Sequence, residues 1–292
     1  MARFAIRVCL FGGAATLALA VSGATAQNAA PPDFSSNGTA WQTPNGTDFI
    51  PVPGSPPLVA NDPAHPYVSN GVAIRTGTQP TYRIADLSNP NLKQWAKDVM
   101  KKDNDEVLAG KIGYTPSSSC KQAGLPAYWL AGGPVFFIQT PKEVVIVEEG
   151  DRHARRIHMD VPHSANQKPS WFGESIGHYE GDTLVVDSVG FNTKTFVDNF
   201  RTPHTDKLHV VERFHMIEGG KTLEVHLTVE DPGTFNQPWQ AIRRYGRVQA
   251  TLHEPIPADP TDDAALGVTV AGDMPAMIDT PSGQVQIGRA HV

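Results

Sequence analysis

Residues 208 to 231, "LHVVERFHMIEGGKTLEVHLTVED", alternate apolar and polar side chains on either side of the turn "EGGK". Alternation with a period of two is typical of β-strands, and glycines between two such runs are typical of a hairpin. We place Ile217 opposite Thr222, which fixes every other pair. One face is then mainly apolar and holds Met216 with Leu223, Phe214 with Val225, Glu212 with Leu227 and Val210 with Val229. The other face is polar and holds His215 with Glu224, Arg213 with His226, Val211 with Thr228 and His209 with Glu230.

Short segments with the same period run from about Pro134 toward the C-terminus. "VFFIQT" and "EVVIVEE" flank the turn "PK", and "ARRIHMD" follows the turn "GDR". "ESIGHYE" and "TLVVDSV" flank Gly181-Asp182, a two-residue hairpin signal with glycine first. "QAIRRYGRVQA" supplies the last strand. About eight short strands with tight turns predict a mainly β fold, in which an antiparallel meander closes into a barrel or forms a sandwich.

Composition divides the chain into four segments. The predicted boundaries are a signal peptide at 1–26, a Pro/Gly-rich extended arm at 27–88, a domain of one helix and antiparallel strands at 89–254, and an irregular tail at 255–292. Proline removes a backbone donor and fixes φ, so we expect the arm to be extended and irregular. It either wraps the domain, with Trp41 and Phe49 as anchors, or stays mobile.

One helix is predicted within "NPNLKQWAKDVMKKDNDEVLAGK", residues 89–111. Asn91 or the preceding "SNP" can start it, and Gly110 fits its end. The apolar positions near helical spacing are Leu92, Trp95, Val99 and Met100. The charged remainder predicts a solvated face, so we interpret the segment as a helix that packs on the domain.

The first residues and the charge balance restrict compartment and partners. "MARFAIR", "VCLFGGAATLALAVSG" and "ATA" before Gln27 give the basic, apolar and small-residue order of a secretory signal peptide, so we expect a periplasmic or secreted protein. The formal net charge of −6 and the lack of basic runs argue against nucleic acid as a partner. No apolar stretch predicts a membrane span. Only Cys120 follows the signal peptide, so we expect no internal disulfide and a thiol that is buried or functional.

Glu212 breaks the apolar face of the hairpin, between Val210 and Phe214. If that face packs on the core, Glu212 is a buried carboxylate paired with a buried donor such as an arginine of a neighbouring strand. If the polar face lines a barrel lumen instead, its acids, histidines and arginine form a site. An ionised carboxylate in an apolar layer costs several kcal/mol unless it is paired. Glu212 is therefore either an ion-pair partner or an acid/base group with a tuned pKa.

Nine of the eleven histidines lie between His153 and His253, in the strand-rich half, which is a compositional hint of a site. Histidines and carboxylates on adjacent strands can bind zinc or another divalent ion. No spacing matches a signature such as H-E-x-x-H, so no metal ligand is assigned and a divalent metal stays open as a cofactor. His178 and Glu180 share a strand face, and Asp187 is placed to orient a histidine from behind. The chain has no G-x-S-x-G elbow, P-loop or dinucleotide fingerprint, which argues against serine hydrolases, kinases and nicotinamide dehydrogenases.

Four motifs resemble a widespread, largely uncharacterised family of secreted bacterial proteins. They are "NPNLKQWAKDVMKKDNDEVLAGK", "GHYEGDTLVVDSVGF", "PHTDKLHVVERF" and "EDPGTFNQPW", and the likeness runs from about residue 86 to residue 247. The family pattern is similar at Arg156, Asp160, His163, Trp171, Glu180, Asp182, Asp187, His204, His209, Glu212, Arg213, Glu230, Asp231 and Trp239. The chain departs from it at "DVPH", where the family has a glycine and an arginine, and it lacks a second cysteine near the C-terminus. The resemblance implies a type of protein and no reaction.

These features predict a periplasmic acid/base enzyme, a lyase, isomerase or hydrolase acting on a small sugar-derived or aromatic molecule. In this hypothesis Glu212 or His209 moves the proton, Arg213 holds an oxygen of the substrate, and His204 and His178 supply the second acid/base group. The residues assigned to substrate binding are His226, Glu230, Trp171 and Trp239. The alternatives are a lipocalin-like small-molecule carrier without turnover and a metal-assisted hydrolase. A glutamate and a histidine within hydrogen-bond reach in one cavity would favour the enzyme. The partner is a small molecule, and the oligomeric state is left open.

Overall fold

A computed structural model describes residues 30–35, 38–44, 47–116, 121–149, 153–252, 276–280 and 283–287. The predicted signal peptide at 1–26 and the predicted free thiol of Cys120 lie outside these residues.

Nine strands close into a barrel. The described strands are β1 (Thr39–Gln42), β2 (Ile50–Pro51), β3 (Val135–Gln139), β4 (Glu143–Glu148), β5 (His153–Met159), β6 (Glu174–Glu180), β7 (Thr183–Val189), β8 (His209–Ile217), β9 (Thr222–Glu230), β10 (Trp239–Gln249), β11 (Ala276–Thr280) and β12 (Gly283–Ile287). The barrel order is β1-β3-β4-β5-β6-β7-β8-β9-β10, and it closes because β1 pairs with both β3 and β10. β5 and β6 run parallel, and the other neighbouring barrel strands run antiparallel. The predicted mainly β barrel is confirmed.

The β8–β9 hairpin has the register that its sequence predicts, from His209 opposite Glu230 to Ile217 opposite Thr222. β6 and β7 likewise leave two residues, Gly181 and Asp182, between the paired ends of the strands. Local alternation and glycine-containing turns therefore place these strands correctly.

The apolar faces of the strands point into the barrel and pack against one another. Ile146, Ile157, Val186, Phe214 and Val225 are each 0% exposed, and they come from five different strands. The interior is thus filled by side chains, as in other small barrels. The His/Arg/Glu face of the β8–β9 hairpin lies on the outside, so the apolar face is the one that lines the interior.

In the part of the chain that the structure describes, two α-helices precede β3, α1 (Asn70–Thr76) and α2 (Gln94–Leu108). The predicted helix is α2, but its buried face differs from the expected one. Trp95 and Val99 are exposed, whereas the buried residues are Ala96, Met100 and Asn104. The side-chain amide of Asn104 bonds both backbone groups of Ala85, which a search for apolar periodicity cannot find.

The described residues of the arm and the tail include regular elements, and the buried Trp41 matches the alternative in which the arm wraps the domain. In the arm, β1 is a full barrel strand that carries the completely buried Trp41, and α1 begins at the cap Ser69. In the predicted irregular tail, β11 and β12 pair as antiparallel strands. Both segments are rich in proline and glycine. The strands β1, β11 and β12 have only four or five residues, and the local sequence does not indicate which strand each one pairs with. Among the described residues, no helix has the length and apolar character needed to cross a membrane.

Candidate functional site

Glu212 lies inside the barrel and is fully paired. Both of its carboxylate oxygens accept hydrogen bonds from the Arg155 guanidinium, with Nη1 at 2.8 Å from Oε1. The indole nitrogen of Trp129 also donates to Oε1. Both side chains of the ion pair are 0% exposed. Of the two alternatives posed by the sequence, the geometry matches the buried carboxylate paired with an arginine.

The Arg155 side chain passes two small serine side chains on its way to Glu212. Arg155 starts on β5 and reaches Glu212 on β8, passing Ser175 on β6 and Ser188 on β7. Its Nη2 donates to the serine hydroxyls at 3.1 and 3.0 Å, and the two hydroxyls are 2.8 Å apart. Each nitrogen of the guanidinium therefore donates to an oxygen atom, which offsets the cost of burying its charge.

Trp129 enters the barrel on a 3-10 turn, Ala127–Leu130. Its ring packs edge-on against Phe214 and Tyr245, and its carbonyl oxygen accepts bonds from the Tyr245 hydroxyl at 2.7 Å and from Arg243 Nε at 2.9 Å. The Trp129 side chain therefore fills part of the barrel interior. Sequence reasoning missed Trp129, because only the fold brings the turn to β8.

Five of the predicted site residues lie on the outer face, away from Glu212: His178, His209, Arg213, His226 and Glu230. His178 Nε2 lies 3.1 Å from Glu180 Oε1, and Arg213 Nη2 donates to Glu180 Oε2 at 2.7 Å. His209 lies 3.6 Å from Glu230 across the β8–β9 pair. Since Glu212 points inward from the same strand, it lies on the opposite face of β8 from His209 and Arg213.

Asp187 connects two histidines on this outer face. His163 Nε2 lies 2.9 Å from its Oδ1, and His209 Nε2 lies 3.1 Å from its Oδ2. Burial raises the pKa of the Asp187 carboxyl, but the hydrogen bonds of the two histidines outweigh burial and bring this pKa below its ordinary value. His163 also contacts Glu174 at 3.1 Å. The predicted orienting role of Asp187 thus has a geometry to support it.

His204 and Trp171 lie elsewhere. His204 is buried in a loop, with Nε2 at 2.7 Å from the Thr195 hydroxyl and Nδ1 at 2.9 Å from the Thr205 carbonyl oxygen. Burial lowers the pKa of the His204 imidazole. The Nδ1 proton is donated to the carbonyl, and Nε2 accepts from the hydroxyl. Trp171 is half-buried in the loop between β5 and β6.

A cavity of about 420 Å³ lies where the arm crosses the start of β10. We call it the arm cavity. Its walls are mostly apolar, and its lining residues are Asp48, Phe49, Pro51, Pro57, Leu58, Val59, Ala60, Asn61, Arg83, Asn89, Leu130, Asp198, Asn199, Phe200, Phe235 and Trp239. Of the predicted substrate-binding residues, only Trp239 contributes to it.

Three lining residues of the arm cavity carry a buried polar atom that has no hydrogen-bond partner among the described residues: Asn61 Oδ1, Arg83 Nη1 and Trp239 Nε1. Arg83 is only 7% exposed, and its ion-pair partner Asp48 is 57% exposed at 2.8 Å. Its guanidinium carbon stacks 4.0 Å from the Tyr67 ring centre. Buried polar groups in native proteins nearly always have a partner, so this grouping marks the cavity as a candidate site.

Asp198 is the other carboxylate in the lining of the arm cavity. Its Oδ1 accepts from the backbone nitrogens of Phe200 and Thr202 at 2.9 and 3.1 Å, and its Oδ2 accepts from the Thr202 hydroxyl at 2.7 Å. Burial raises the pKa of the Asp198 carboxyl, although these hydrogen bonds act in the opposite direction. Its bonds fold the 198–202 loop that forms one wall.

No family model, no curated protein and no solved structure matches the chain. The closed barrel, the paired Glu212, the outer polar face and the arm cavity are therefore the observations from which function is inferred.

Proposed function

We propose that the protein binds a small aromatic or otherwise apolar molecule with an anionic or carbonyl oxygen, and that it holds this molecule in the arm cavity without converting it. The observation that carries the proposal is Arg83, a buried cation in the lining of an apolar cavity. The proposal keeps the carrier hypothesis and moves the ligand from the barrel interior, which is filled, to the side of the barrel.

The size and walls of the arm cavity suit such a ligand. Binding pockets for small molecules typically have volumes of about 300–1,000 Å³, apolar or aromatic walls and a few polar groups. The arm cavity has a volume of about 420 Å³, and Phe49, Phe200, Phe235 and Trp239 contribute aromatic side chains. Apolar walls favour an aromatic ligand over a sugar.

The polar groups suit an oxygen acceptor. Arg83 Nη1 and Trp239 Nε1 are donors without partners among the described residues, and a carboxylate or carbonyl oxygen accepts from such groups. Asp48, the ion-pair partner of Arg83, is largely exposed and is bound through Nη2. The Nη1 edge of the guanidinium therefore has no anionic partner among the described residues.

The lining favours binding over turnover. No histidine or glutamate lies among the lining residues of the arm cavity that the structure describes. Both oxygens of Asp198 already accept hydrogen bonds from its own loop. General acid/base catalysis requires a convergent acid and base, whereas the two carboxylates of the described lining are already bound, Asp48 to Arg83 and Asp198 to its own loop.

The test is a calorimetric titration of the protein with benzoate, phenylacetate and cinnamate, each beside its uncharged alcohol. We expect each acid to bind at least tenfold more tightly than its alcohol, and we expect Arg83→Met to abolish that preference. Arg247→Met is the matched control, because Arg247 also stacks on an aromatic ring, Trp41, at 4.1 Å but does not line the cavity.

A second variant tests binding in the arm cavity even if Arg83→Met does not fold. Ala60→Phe adds bulk at an exposed lining position and leaves the charges unchanged, so it should weaken acid and alcohol alike. The proposal is overturned if none of the six compounds binds, or if Arg247→Met weakens binding as much as Arg83→Met does. Circular dichroism of each variant checks that it is folded.

An acid/base enzyme is the second candidate, and the observation that favours it is Asp187 between His163 and His209. In this version His209 is the general base, Asp187 orients it, and Arg213 on the same strand holds a substrate oxygen. Periplasmic sugars and aromatics are the compounds to screen. Turnover by the wild-type protein that falls at least a hundredfold in His209→Gln supports this candidate, and lack of turnover by the wild-type protein rejects it.

A further inference from the structure

A cluster of two histidines and one glutamate lies on the outer face of the barrel, apart from the arm cavity. His215 on β8 is directly opposite Glu224 on β9, and His226 follows two residues later on β9. Side chains two residues apart on a strand share a face, so all three point the same way. Among the residues that the structure describes, this is the one group of three or more His, Cys, Asp or Glu side chains whose metal-binding atoms all lie within 4.8 Å of one another.

The distances are close to those of a metal site. His215 Nε2 lies 3.4 Å from Glu224 Oε1, and His226 Nε2 lies 2.7 Å from the same oxygen. Ligand atoms about 2.0–2.1 Å from a tetrahedral zinc ion are about 3.3 Å apart. The three ligand atoms all lie within 4.8 Å of one another, so small rotations of the two imidazole rings bring them toward the spacing that zinc requires.

Arg244 holds the glutamate from the other side. It is opposite Glu224 on β10, and its Nε donates to Glu224 Oε2. This bond leaves Oε1 directed at the two histidines and fixes the carboxylate as a ligand through one oxygen. Groups that orient a metal ligand in this way are common around protein metal sites.

We propose that His215, Glu224 and His226 form a binding site for Zn²⁺. Two imidazoles and one carboxylate suit zinc better than magnesium or calcium, which prefer oxygen ligands alone. Three protein ligands also leave one position open for water or a ligand, as in catalytic zinc sites.

The open position faces an accessible cleft. The cleft has a volume of about 330 Å³ and is lined by Thr183, Arg213, His215, His226, Leu227, Thr228 and Gln240. His215 and His226 are 28% and 41% exposed, so a metal ion can reach them from solvent. Arg213 also lines the cleft, where its guanidinium is paired with Glu180 at 2.7 Å.

The test uses the full chain without an affinity tag, treated with chelator and dialysed before a calorimetric titration with ZnCl₂. We expect one Zn²⁺ per chain, and we expect the dissociation constant to rise at least tenfold in His215→Ala, in His226→Ala and in Glu224→Gln. Titration with Co²⁺ should give visible absorption bands of four- or five-coordinate cobalt, and these bands should be absent in the His215→Ala/His226→Ala double variant. MgCl₂ should not bind.

His158→Ala is the matched control, because His158 is an exposed strand histidine directly opposite a glutamate, Glu143. We expect its zinc affinity to equal that of the wild-type protein. Thermal unfolding of the metal-free variants checks that each one is folded. The inference is overturned if the wild-type protein binds no Zn²⁺ at one per chain, or if the double variant of His215 and His226 binds it as tightly as the wild type does.

Discussion

Arg155 on β5 forms a buried ion pair with Glu212 on β8, across the two strands that separate them. The pair is possible because the inward positions between them carry Ser175 and Ser188, whose hydroxyls accept from the guanidinium. Trp129 adds a third donor to the carboxylate. The pair thus links the strands from β5 to β8 with the Ala127–Leu130 turn. This structural role explains why a carboxylate lies on the apolar face of the hairpin.

Removing one partner of this pair should be costly. We expect Arg155→Met and Glu212→Gln each to lower the free energy of unfolding by about 3–5 kcal/mol, because each leaves a buried polar group of the other without its partner. Urea denaturation at neutral pH measures the loss. The side-chain amide in the Glu212→Gln variant would still offer an oxygen to the Trp129 indole, so the loss in this variant reports mainly on Arg155.

The double variant separates the ion pair from general disruption. In Arg155→Met with Glu212→Gln neither charge of the pair remains buried, so the combined loss should be smaller than the sum of the single losses by about 1–3 kcal/mol. Strict additivity of the two single losses would show that the ion pair contributes no coupling energy.

Local patterns are sufficient for most of the strands but not for the closure of the barrel. The β8–β9 register follows from alternation and one turn. β1 pairs Thr39 with Gln249 near the far end of the chain, and nothing in its four residues indicates that partner. Strand pairing over such separations depends on the whole fold, and for that reason the sequence predicts an irregular arm where the ninth strand lies.

The candidate sites are predicted unevenly for the same reason. The pairs His215–Glu224 and His209–Glu230 come directly from the hairpin register. The arm cavity does not, since Arg83 and Trp239 lie far apart in the chain and meet only when the arm crosses β10. The Glu212 partners Arg155 and Trp129 lie on other elements, so the sequence could pose the alternatives for Glu212 without choosing between them.

His204 should make the protein less stable in mild acid. Burial holds the pKa of its imidazole below the ordinary value of about 6.5, against the opposing effects of the Thr205 carbonyl and the Asp231 carboxylate. The unfolded chain therefore binds a proton more readily, and stability is lost as the pH falls below about 6.5. We expect His204→Asn, which keeps a donor for Thr205, to flatten the pH dependence of unfolding between about pH 7 and pH 5. An unchanged slope in this variant would contradict the assignment.

Asp231 should contribute stability that disappears at low pH. Burial raises the pKa of its carboxyl, but hydrogen bonds from Thr205, Thr234 and Gly233 outweigh burial and bring this pKa below its ordinary value. The stabilisation is complete above that ordinary pKa and is lost as the pH falls through the lower value of the folded state. We expect Asp231→Asn to cost about 1–3 kcal/mol at neutral pH, because an amide nitrogen then faces a backbone donor. The difference from wild type should narrow at about pH 3, as measured by urea unfolding at both pH values.

Two glycines with similar backbone angles should respond differently to alanine. Gly173 and Gly181 have φ values of +64° and +62°, so either substitution meets the strain of the left-handed region, about 1–2 kcal/mol. A Cβ on Gly181 would meet no atom within 4 Å, whereas a Cβ on Gly173 would lie 2.3 Å from the Val189 carbonyl oxygen. Because that oxygen belongs to backbone, the chain must move, which adds about 1–3 kcal/mol. We expect Gly173→Ala to lower the free energy of unfolding by at least twice as much as Gly181→Ala in urea denaturation. Equal losses would contradict the close approach of Gly173, just before β6, to the Val189 carbonyl oxygen at the end of β7.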